Sequence, residues 1–174
     1  MQIEVSKMTT ISIDPGKSGG LAYRHDDQPV NAIHMPETEG DIVDFLRGLV
    51  TDPAQTLAVI EQVGGYVPGR PQPGSAMFRF GRNFGFILGV LQTLGVRVEL
   101  VRPQAWQKAL SLGNSKDCPD KAAWKAKLKA EAQRRYPLLK PTLATADALL
   151  ILDYALRAST NLPADAAVQA ERQP

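Results

Sequence analysis

The chain has 174 residues, of which 44% are hydrophobic, and this size and composition predict one globular domain with a sizeable core. Its net charge of +2 is too small to indicate nucleic-acid binding unless the positive charges are concentrated in one place. The single cysteine, Cys118, excludes an internal disulfide, and no apolar run approaches the ~20 residues that span a bilayer, so we expect a cytoplasmic protein without membrane association.

The first predicted strand ends at an acidic residue and leads into a glycine-rich turn. Residues 11–23 read ISIDPGKSGGLAY, in which β-branched residues precede Asp14 and glycines follow it. Two further strands are predicted at Gly20–Arg24 and Val30–His34, and together the three form an antiparallel meander. An acid in a hairpin turn is common, so Asp14 becomes a candidate site residue only in combination with other acids.

A helix and a buried strand come next. Asp41 is the expected N-cap of a helix whose apolar residues recur at helical spacing: Ile42, Phe45, Leu46 and Leu49. Residues 57–61 form a continuous apolar run that ends in Glu61, which is typical of a strand buried on both faces. Ligands bind at the carboxyl ends of strands in open α/β sheets, so Glu61 can face Asp14 if the two strands are neighbours.

A long loop rich in glycine and proline, residues 64–75, precedes a helix predicted at Met77–Leu94. A loop of this length in so small a domain indicates a functional or mobile segment. Each glycine lowers helix stability by about 1 kcal/mol relative to alanine, yet this helix carries three of them four residues apart: Gly81, Gly85 and Gly89. The row indicates close packing, either against the protein's own sheet or against a second copy of the chain.

A strand at Val96–Val101 and a short helix from Pro103 lead to a longer, basic helix. This helix is predicted to begin at residues 117–120 and to end before Pro137. Three of its lysines share one face, which we call the basic ridge: Lys121, Lys125 and Lys129. Such a ridge is usually a solvated helix face, and it indicates phosphate binding only where a nucleic-acid site lies beside it.

The last predicted helix, Thr142–Ser159, carries an acid in apolar surroundings. Asp147 lies about five residues into this helix, too deep for an N-cap. A buried aspartate needs a partner, and the remaining candidates are an arginine or a metal ion shared with other carboxylates. Residues 161–174 are polar and alanine-rich, so we expect a disordered tail after a domain at residues 8–160.

The order and contexts of Asp14, Glu61 and Asp147 resemble the RuvC-type Holliday junction resolvases of the RNase H-like superfamily, particularly their phage and prophage versions. The resemblance spans Met8 to about Arg157. It rests on four motifs: residues 13–16 (IDPG), residues 60–63 (IEQV), Pro103 with Trp106 and Lys108, and residues 146–150 (ADALL). It implies an α/β fold, with a five-stranded mixed sheet and helices on both faces.

The resemblance also implies an activity. Family members are homodimeric endonucleases that use Mg²⁺ or Mn²⁺ to nick symmetrically related strands of four-way DNA junctions in recombination and repair. The three acids would be the catalytic metal ligands, with Asp14 bridging. Two ionised acids about 4 Å apart repel by roughly 4 kcal/mol at an effective dielectric of about 20, so such a cluster must bind cations or retain protons.

The resemblance further implies DNA contacts. Lys116 and Lys121 are placed like family lysines that contact the scissile phosphate, which makes them candidate catalytic residues. Tyr66 corresponds to an aromatic residue that family members insert into the junction centre, although packing on the protein surface explains it equally well. The full set of candidate DNA contacts comprises Tyr66, Arg70, Lys108, Lys116, Lys121, Lys125 and Lys129.

One departure from the family pattern keeps alternatives open. Bacterial members carry a fourth acid one helical turn before the last one, where this chain has Leu143 and Ala144. Asp153 does not replace it, because six residues at about 100° each rotate it away from Asp147. The alternatives are an RNA-processing nuclease of the same superfamily and a junction-binding module with weak catalysis. A sugar-kinase or actin-like ATPase would need two such domains, for which this chain is too short.

Overall fold

The computed structural model describes residues 8–62 and 74–160, which form a sheet flanked by helices. The strands are β1 (Thr9–Asp14), β2 (Gly20–His25), β3 (Asn31–His34), β4 (Thr56–Glu61) and β5 (Arg97–Val101). The helices are α1 (Glu39–Leu49), α2 (Gly74–Thr93), α3 (Pro103–Ala109), α4 (Lys121–Arg135) and α5 (Ala146–Thr160). None of these helices is both long and apolar enough to cross a bilayer. The tail predicted at residues 161–174 and most of the glycine- and proline-rich loop lie outside the described residues.

The strand order is β3-β2-β1-β4-β5, with β1 at the centre. The pairs β1–β2 and β2–β3 are antiparallel, whereas β1–β4 and β4–β5 are parallel. This confirms the predicted five-stranded mixed sheet. In the parallel pair, Ile13 lies beside Ile60, so Asp14 and Glu61 follow at the same edge of the sheet. The two strands are therefore neighbours, as the site hypothesis required.

Helices cover both faces of the sheet, and strand β4 contributes to both cores. Its residues Ala58 and Ile60 pack with α1 and α2, while Leu57 and Val59 pack with α3, α4 and α5. All six residues of β4 are buried, which confirms the interpretation of the continuous apolar run. Trp106 of α3 is fully buried in the core between the sheet and helices α3, α4 and α5.

The N-terminus of α1 differs from the prediction. Thr38, not Asp41, is the N-cap: its hydroxyl oxygen accepts from the Asp41 backbone N–H at 3.1 Å. The Asp41 carboxylate in turn accepts from the Thr38 N–H at 3.3 Å and from its hydroxyl at 2.6 Å. The predicted cap was wrong because Asp41 is the third residue of the helix (N3) in a capping box, a position more often filled by glutamate.

Helix α5 begins four residues later than predicted. The Thr142 N–H donates to Thr145 Oγ1 at 3.0 Å and the Thr145 N–H donates to Thr142 Oγ1 at 3.3 Å, which holds residues 142–145 in a turn. Hydroxyl groups that bond the local backbone compete in this way with helix formation. Asp147 is therefore the second residue of α5 and lies in its first turn, so its predicted depth in the helix was wrong.

Helix α4 starts and ends at the expected signals. The Asp120 carboxylate accepts from the Ala123 N–H at 2.7 Å and caps the helix, which ends at Arg135 before Pro137. Its buried residues Trp124 and Leu128 pack against the core that α5 also faces.

Helix α2 has an inner and an outer face. Ile87 and Leu91 are fully buried against the sheet. A Cβ added to Gly81, Gly85 or Gly89 would meet no atom within 4 Å other than those of the helix itself. The glycine row therefore does not pack on the protein's own sheet, and that alternative is wrong. The outer face of α2 is open within the described part of the chain.

Candidate active site

Asp14 is held at the end of β1 by the turn that follows it. The Gly16 N–H donates to Asp14 Oδ1 at 3.3 Å. A Cβ on Gly19 would lie 2.3 Å from the Asp14 carbonyl oxygen and 2.8 Å from its Cγ, so only glycine allows the turn to fold back on the acid. On the other side, the Asn83 side-chain amide of α2 donates to the Pro15 carbonyl oxygen. The turn is thus fixed from within and from α2.

Helix α5, which carries Asp147, is tied to β1 by a buried serine. The Ser12 hydroxyl donates to the Ala148 carbonyl oxygen at 2.6 Å, and it also lies 3.2 Å from the Ala22 carbonyl oxygen. A hydroxyl has one proton, so the shorter contact is the hydrogen bond that joins strand to helix. Since Ala148 follows Asp147, this bond fixes the first turn of α5 beside the end of β1.

The three acids predicted from the sequence come together at this edge of the sheet. Glu61 is 8% exposed and Asp147 is 4% exposed. Burial, and then the charge of Asp147, raise the pKa of Asp14. Burial, followed by repulsion from Asp14 and Asp147, raises the pKa of Glu61 from 4.5 to about 8. We call Asp14, Glu61 and Asp147 the acid cluster.

Lys125 of α4 is the cation of the acid cluster. Its ammonium group forms an ion pair with Asp147 Oδ2, and its side chain is 33% exposed. Burial lowers the pKa of Lys125, but attraction to Asp147, Asp14 and Glu61 outweighs that effect, so the net pKa is raised. When all three carboxylates are ionised, one ammonium group leaves the cluster with an excess of negative charge.

Three buried atoms of this region have no hydrogen-bond partner in the described structure: Glu61 Oε2, Asp147 Oδ1 and Trp106 Nε1. The Trp106 N–H lies close enough to the Glu61 carboxyl to lower its pKa, but not at full hydrogen-bonding geometry. Buried polar atoms are normally paired, so two unpaired carboxylate oxygens in a negatively charged cluster require an explanation. A cation that binds both oxygens would supply one.

The donor set fits a hard divalent ion, because carboxylate oxygens are the ligands that Mg²⁺ and Mn²⁺ prefer. Within residues 8–62 and 74–160, however, no three His, Cys, Asp or Glu side chains are arranged as a formed metal site. The Lys125 ammonium group lies among the acids instead. The arrangement is therefore a set of potential ligands with a lysine as its present counter-ion.

The remaining candidate residues are distributed around this site. Four predicted DNA contacts are exposed and form no ion pair with the acids in the described structure: Lys108, Lys116, Lys121 and Lys129. Tyr66 and Arg70 lie outside the described residues. Lys125 differs from its neighbours on the basic ridge, because its ammonium group points into the acid cluster rather than along the ridge.

Sequence reasoning missed two positioning residues, Ser12 and Asn83. A signal for Ser12 existed, since it is a polar residue between Ile11 and Ile13 in a strand that is otherwise apolar at its centre. The expectation for Asp153 is confirmed: it pairs with Arg135 and with Arg157, away from the three acids.

Two solved structures of RuvC from Thermus thermophilus are similar to this chain. RuvC in complex with a Holliday junction substrate has 18% sequence identity and a TM-score of 0.52, covering 88% of this chain and 96% of that chain. A second RuvC structure has 16% identity and a TM-score of 0.55, covering 88% and 98%. No family model matches the chain, and no curated protein matches it in sequence. At these identities the similarity establishes the fold, and it confirms the RuvC-like fold expected from the sequence.

Proposed function

We propose that this chain, which has the fold of RuvC, is a Mg²⁺- or Mn²⁺-dependent endonuclease that cuts branched DNA. The observation that carries the proposal is the acid cluster: two buried carboxylates and a partly buried one, with two unpaired oxygens among them, at the carboxyl edge of the sheet. Strongly perturbed carboxylates at such an edge are characteristic of catalytic sites. The similar RuvC structure that contains a Holliday junction supports four-way DNA as the substrate class.

Asp14, Glu61 and Asp147 would hold the divalent ion through their carboxylate oxygens. When bound, such ions activate the attacking water and stabilise the leaving 3′ oxygen of the phosphodiester. The chain's own contribution is positioning: the Gly16 N–H orients Asp14, and the Ser12 hydroxyl fixes the first turn of α5. Carboxylates that are held in place before the substrate arrives need not be ordered during the reaction.

Symmetric nicking of a four-way junction requires two active sites, so we infer a homodimer. A two-fold symmetric substrate is matched by an interface in which one surface meets its own copy. The outer face of α2 is the candidate surface, because its glycine row contacts no other element of the described residues and Phe78 beside it is 72% exposed. Gly85→Leu should give a folded monomer that still binds Mn²⁺. A wild-type protein that sediments as a monomer with and without junction DNA would contradict the dimer.

The exposed lysines are the proposed DNA contacts. Lys121 and Lys129 lie on the same helix as Lys125, so DNA that brings a phosphate to the acids passes along α4. Each lost phosphate contact lowers the log–log salt slope of binding by ~0.9 on duplex DNA. Changing Lys121 and Lys129 together to Gln should therefore lower the slope by about 1.8. An unchanged slope would identify both as ordinary surface lysines.

A nicking assay tests the central proposal. Wild-type protein and Asp14→Asn are incubated with four-way, flap and linear DNA in Mg²⁺, Mn²⁺ or EDTA, and junction binding is measured by gel shift on the same preparations. We expect the wild type to cut branched DNA only with metal. Asp14→Asn should bind junctions at least as well without cutting, because the change removes a ligand and a repulsive charge but keeps the shape. Cleavage by Asp14→Asn at the wild-type rate would contradict the assignment.

A junction-binding module with weak catalysis is the second candidate function. Two observations favour it: the turn in which bacterial family members carry a fourth acid holds Leu143 and Ala144, and Lys125 lies among the remaining three acids. This candidate predicts tight junction binding without nicks in either metal. Cleavage of RNA-containing duplexes in preference to four-way DNA would instead indicate an RNA-processing nuclease.

A further inference from the structure

We propose that the Lys125 ammonium group is a built-in competitor of the divalent ion: it holds the cation position of the acid cluster in the metal-free protein and leaves Asp147 when the ion binds. This inference rests on the metal site of the proposed function. It adds that the chain carries its own counter-ion for that site, and that metal binding changes what Lys125 can contact.

The contacts of Lys125 are those expected of a cation at this site. Its ammonium group bonds one oxygen of Asp147, while the other oxygen has no partner. Its charge also acts on Asp14 and Glu61, since it opposes the rise in the pKa of each. One positive group therefore neutralises part of the charge of all three acids, as a divalent ion would.

The packing of α4 delivers Lys125 to the cluster. Trp124 is 6% exposed and Leu128 is 2% exposed, so the helix is anchored on both sides of the lysine. The ion pair is thus built into the fold and is not an accidental contact of a loose surface helix. Among the described lysines of α4, Lys125 alone forms an ion pair.

The two partners differ in their freedom to move. The Asp147 side chain is 6% exposed and sits in the first turn of a helix that Ser12 ties to the sheet. The Lys125 side chain is 33% exposed and carries its charge on a flexible four-carbon stem. If the pair opens, the lysine moves and the aspartate stays.

A divalent ion and an ammonium group repel each other strongly at adjacent oxygens of one carboxylate. Occupation of Asp147 by the ion and by Lys125 is therefore mutually exclusive. The released ammonium group remains at the mouth of the site, where it can bind a phosphate oxygen of DNA. Metal binding should accordingly precede the contact between Lys125 and DNA.

Calorimetric titration with MnCl₂, without DNA, tests the competition. Lys125→Met keeps the stem and removes the charge, and Lys127→Met is the matched control on the same helix. Lys127 is exposed and its ammonium group lies 5.5 Å from the Trp124 ring, away from the acids. We expect Lys125→Met to bind Mn²⁺ at least about 10-fold more tightly than the wild type, and Lys127→Met to bind it equally well.

The outcomes separate this inference from the proposed function. If the wild type binds Mn²⁺ but Lys125→Met binds it equally or more weakly, the competition is wrong and the metal site stands. If neither protein binds Mn²⁺, the metal site and the competition are both wrong.

A second measurement uses only the unmodified protein and so does not depend on a variant that folds. Lysine acylation followed by mass spectrometry compares the reactivity of Lys125 in EDTA and in Mn²⁺. Release from Asp147 should raise the reactivity of Lys125 several-fold, while that of the exposed Lys129 stays constant. Equal reactivity of Lys125 in the two conditions would overturn the displacement.

Discussion

Two groups of charged residues join α4 to α5, and they differ in how completely their charges are matched. In the first, which we call the arginine cluster, Arg135 donates to Glu131 at 2.7 Å, to Asp153, and to the Leu110 carbonyl oxygen at 3.4 Å. Arg157 lies 3.1 Å from the same Asp153 carboxylate. Each acid of this cluster contacts two arginines, so neither carboxylate charge is left without a cation.

The acid cluster at the other end of the same helix pair is unbalanced. Hydrogen bonds from Arg134 and Arg135 lower the pKa of Glu131 to about 2, whereas burial and neighbouring acids raise that of Glu61 to about 8. Paired opposite charges stabilise a fold. Unpaired buried charges lower stability, and proteins retain them where they bind a ligand. The contrast distinguishes acids that hold α4 to α5 from acids to which the proposed function assigns a metal ion.

Breaking the arginine cluster should have the largest effect. Arg135→Met removes hydrogen bonds to both Glu131 and Asp153, and hydrogen bonds to charged groups contribute roughly 1.5–3 kcal/mol each. Urea denaturation measures the free energy of unfolding. The control is Arg134→Met, whose side chain is 68% exposed and whose loss should lower the free energy of unfolding much less, because water screens its charge. Equal effects of the two substitutions would contradict the distinction.

The acid cluster should make the metal-free protein less stable as the pH rises. The pKa of Glu61 is 4.5 ordinarily and about 8 in the folded protein, so between these values the folded state retains a proton that the unfolded state releases. The favourable contribution is therefore complete below pH 4.5 and lost as the pH approaches 8, a change on the order of a few kcal/mol. Urea denaturation in EDTA across this range measures it.

The control for the pH effect is Glu61→Gln, which cannot titrate and should give a flatter profile. Mg²⁺ should restore stability to the wild type near pH 8, because the ion binds the deprotonated carboxylates. A wild-type profile in EDTA that rises with pH would refute the raised pKa.

A smaller effect should differ in sign between the two clusters. Asp14→Asn relieves repulsion within the acid cluster and should raise the free energy of unfolding by about 1 kcal/mol in EDTA at pH 8. Asp153→Asn removes a charge that two arginines need and should lower it. Chemical denaturation of both variants under one condition measures the two changes in the free energy of unfolding. Changes of the same sign would contradict the proposed difference between the clusters.

The strands and the approach of Glu61 to Asp14 could be predicted because they depend on local patterns, whereas Asp147 was assigned to the same site only through the family resemblance. The apolar run that ends in Glu61 identifies a buried strand, and strand ends determine where the acid lies. The starts of helices α1 and α5 were less predictable, because side-chain hydrogen bonds determine them. Thr38 and Asp41 exchange hydrogen bonds before α1, and Thr142 bonds Thr145 before α5. These bonds depend on rotamers that an apolar pattern does not reveal.

The special position of Lys125 could not be predicted from the sequence. Lys121, Lys125 and Lys129 are equivalent on a helical wheel, and only the packing of α4 against α5 brings one of them to Asp147. That packing depends on Trp124 and Leu128 filling the core below, which is a tertiary effect. Helical periodicity identifies a face but does not identify the residue on it that meets a distant acid.

The hydrogen bond from Ser12 to Ala148 joins residues 136 positions apart in the chain. The site can therefore form only after the later of the two segments has been synthesised. During synthesis β1 leaves the ribosome early, while α5, which covers one face of the sheet, follows late. Domains generally acquire their packing as units once the necessary segments are available. A nascent chain therefore carries Asp14 and Glu61 without the helix that completes the acid cluster, so the proposed nuclease remains inactive until α5 has docked.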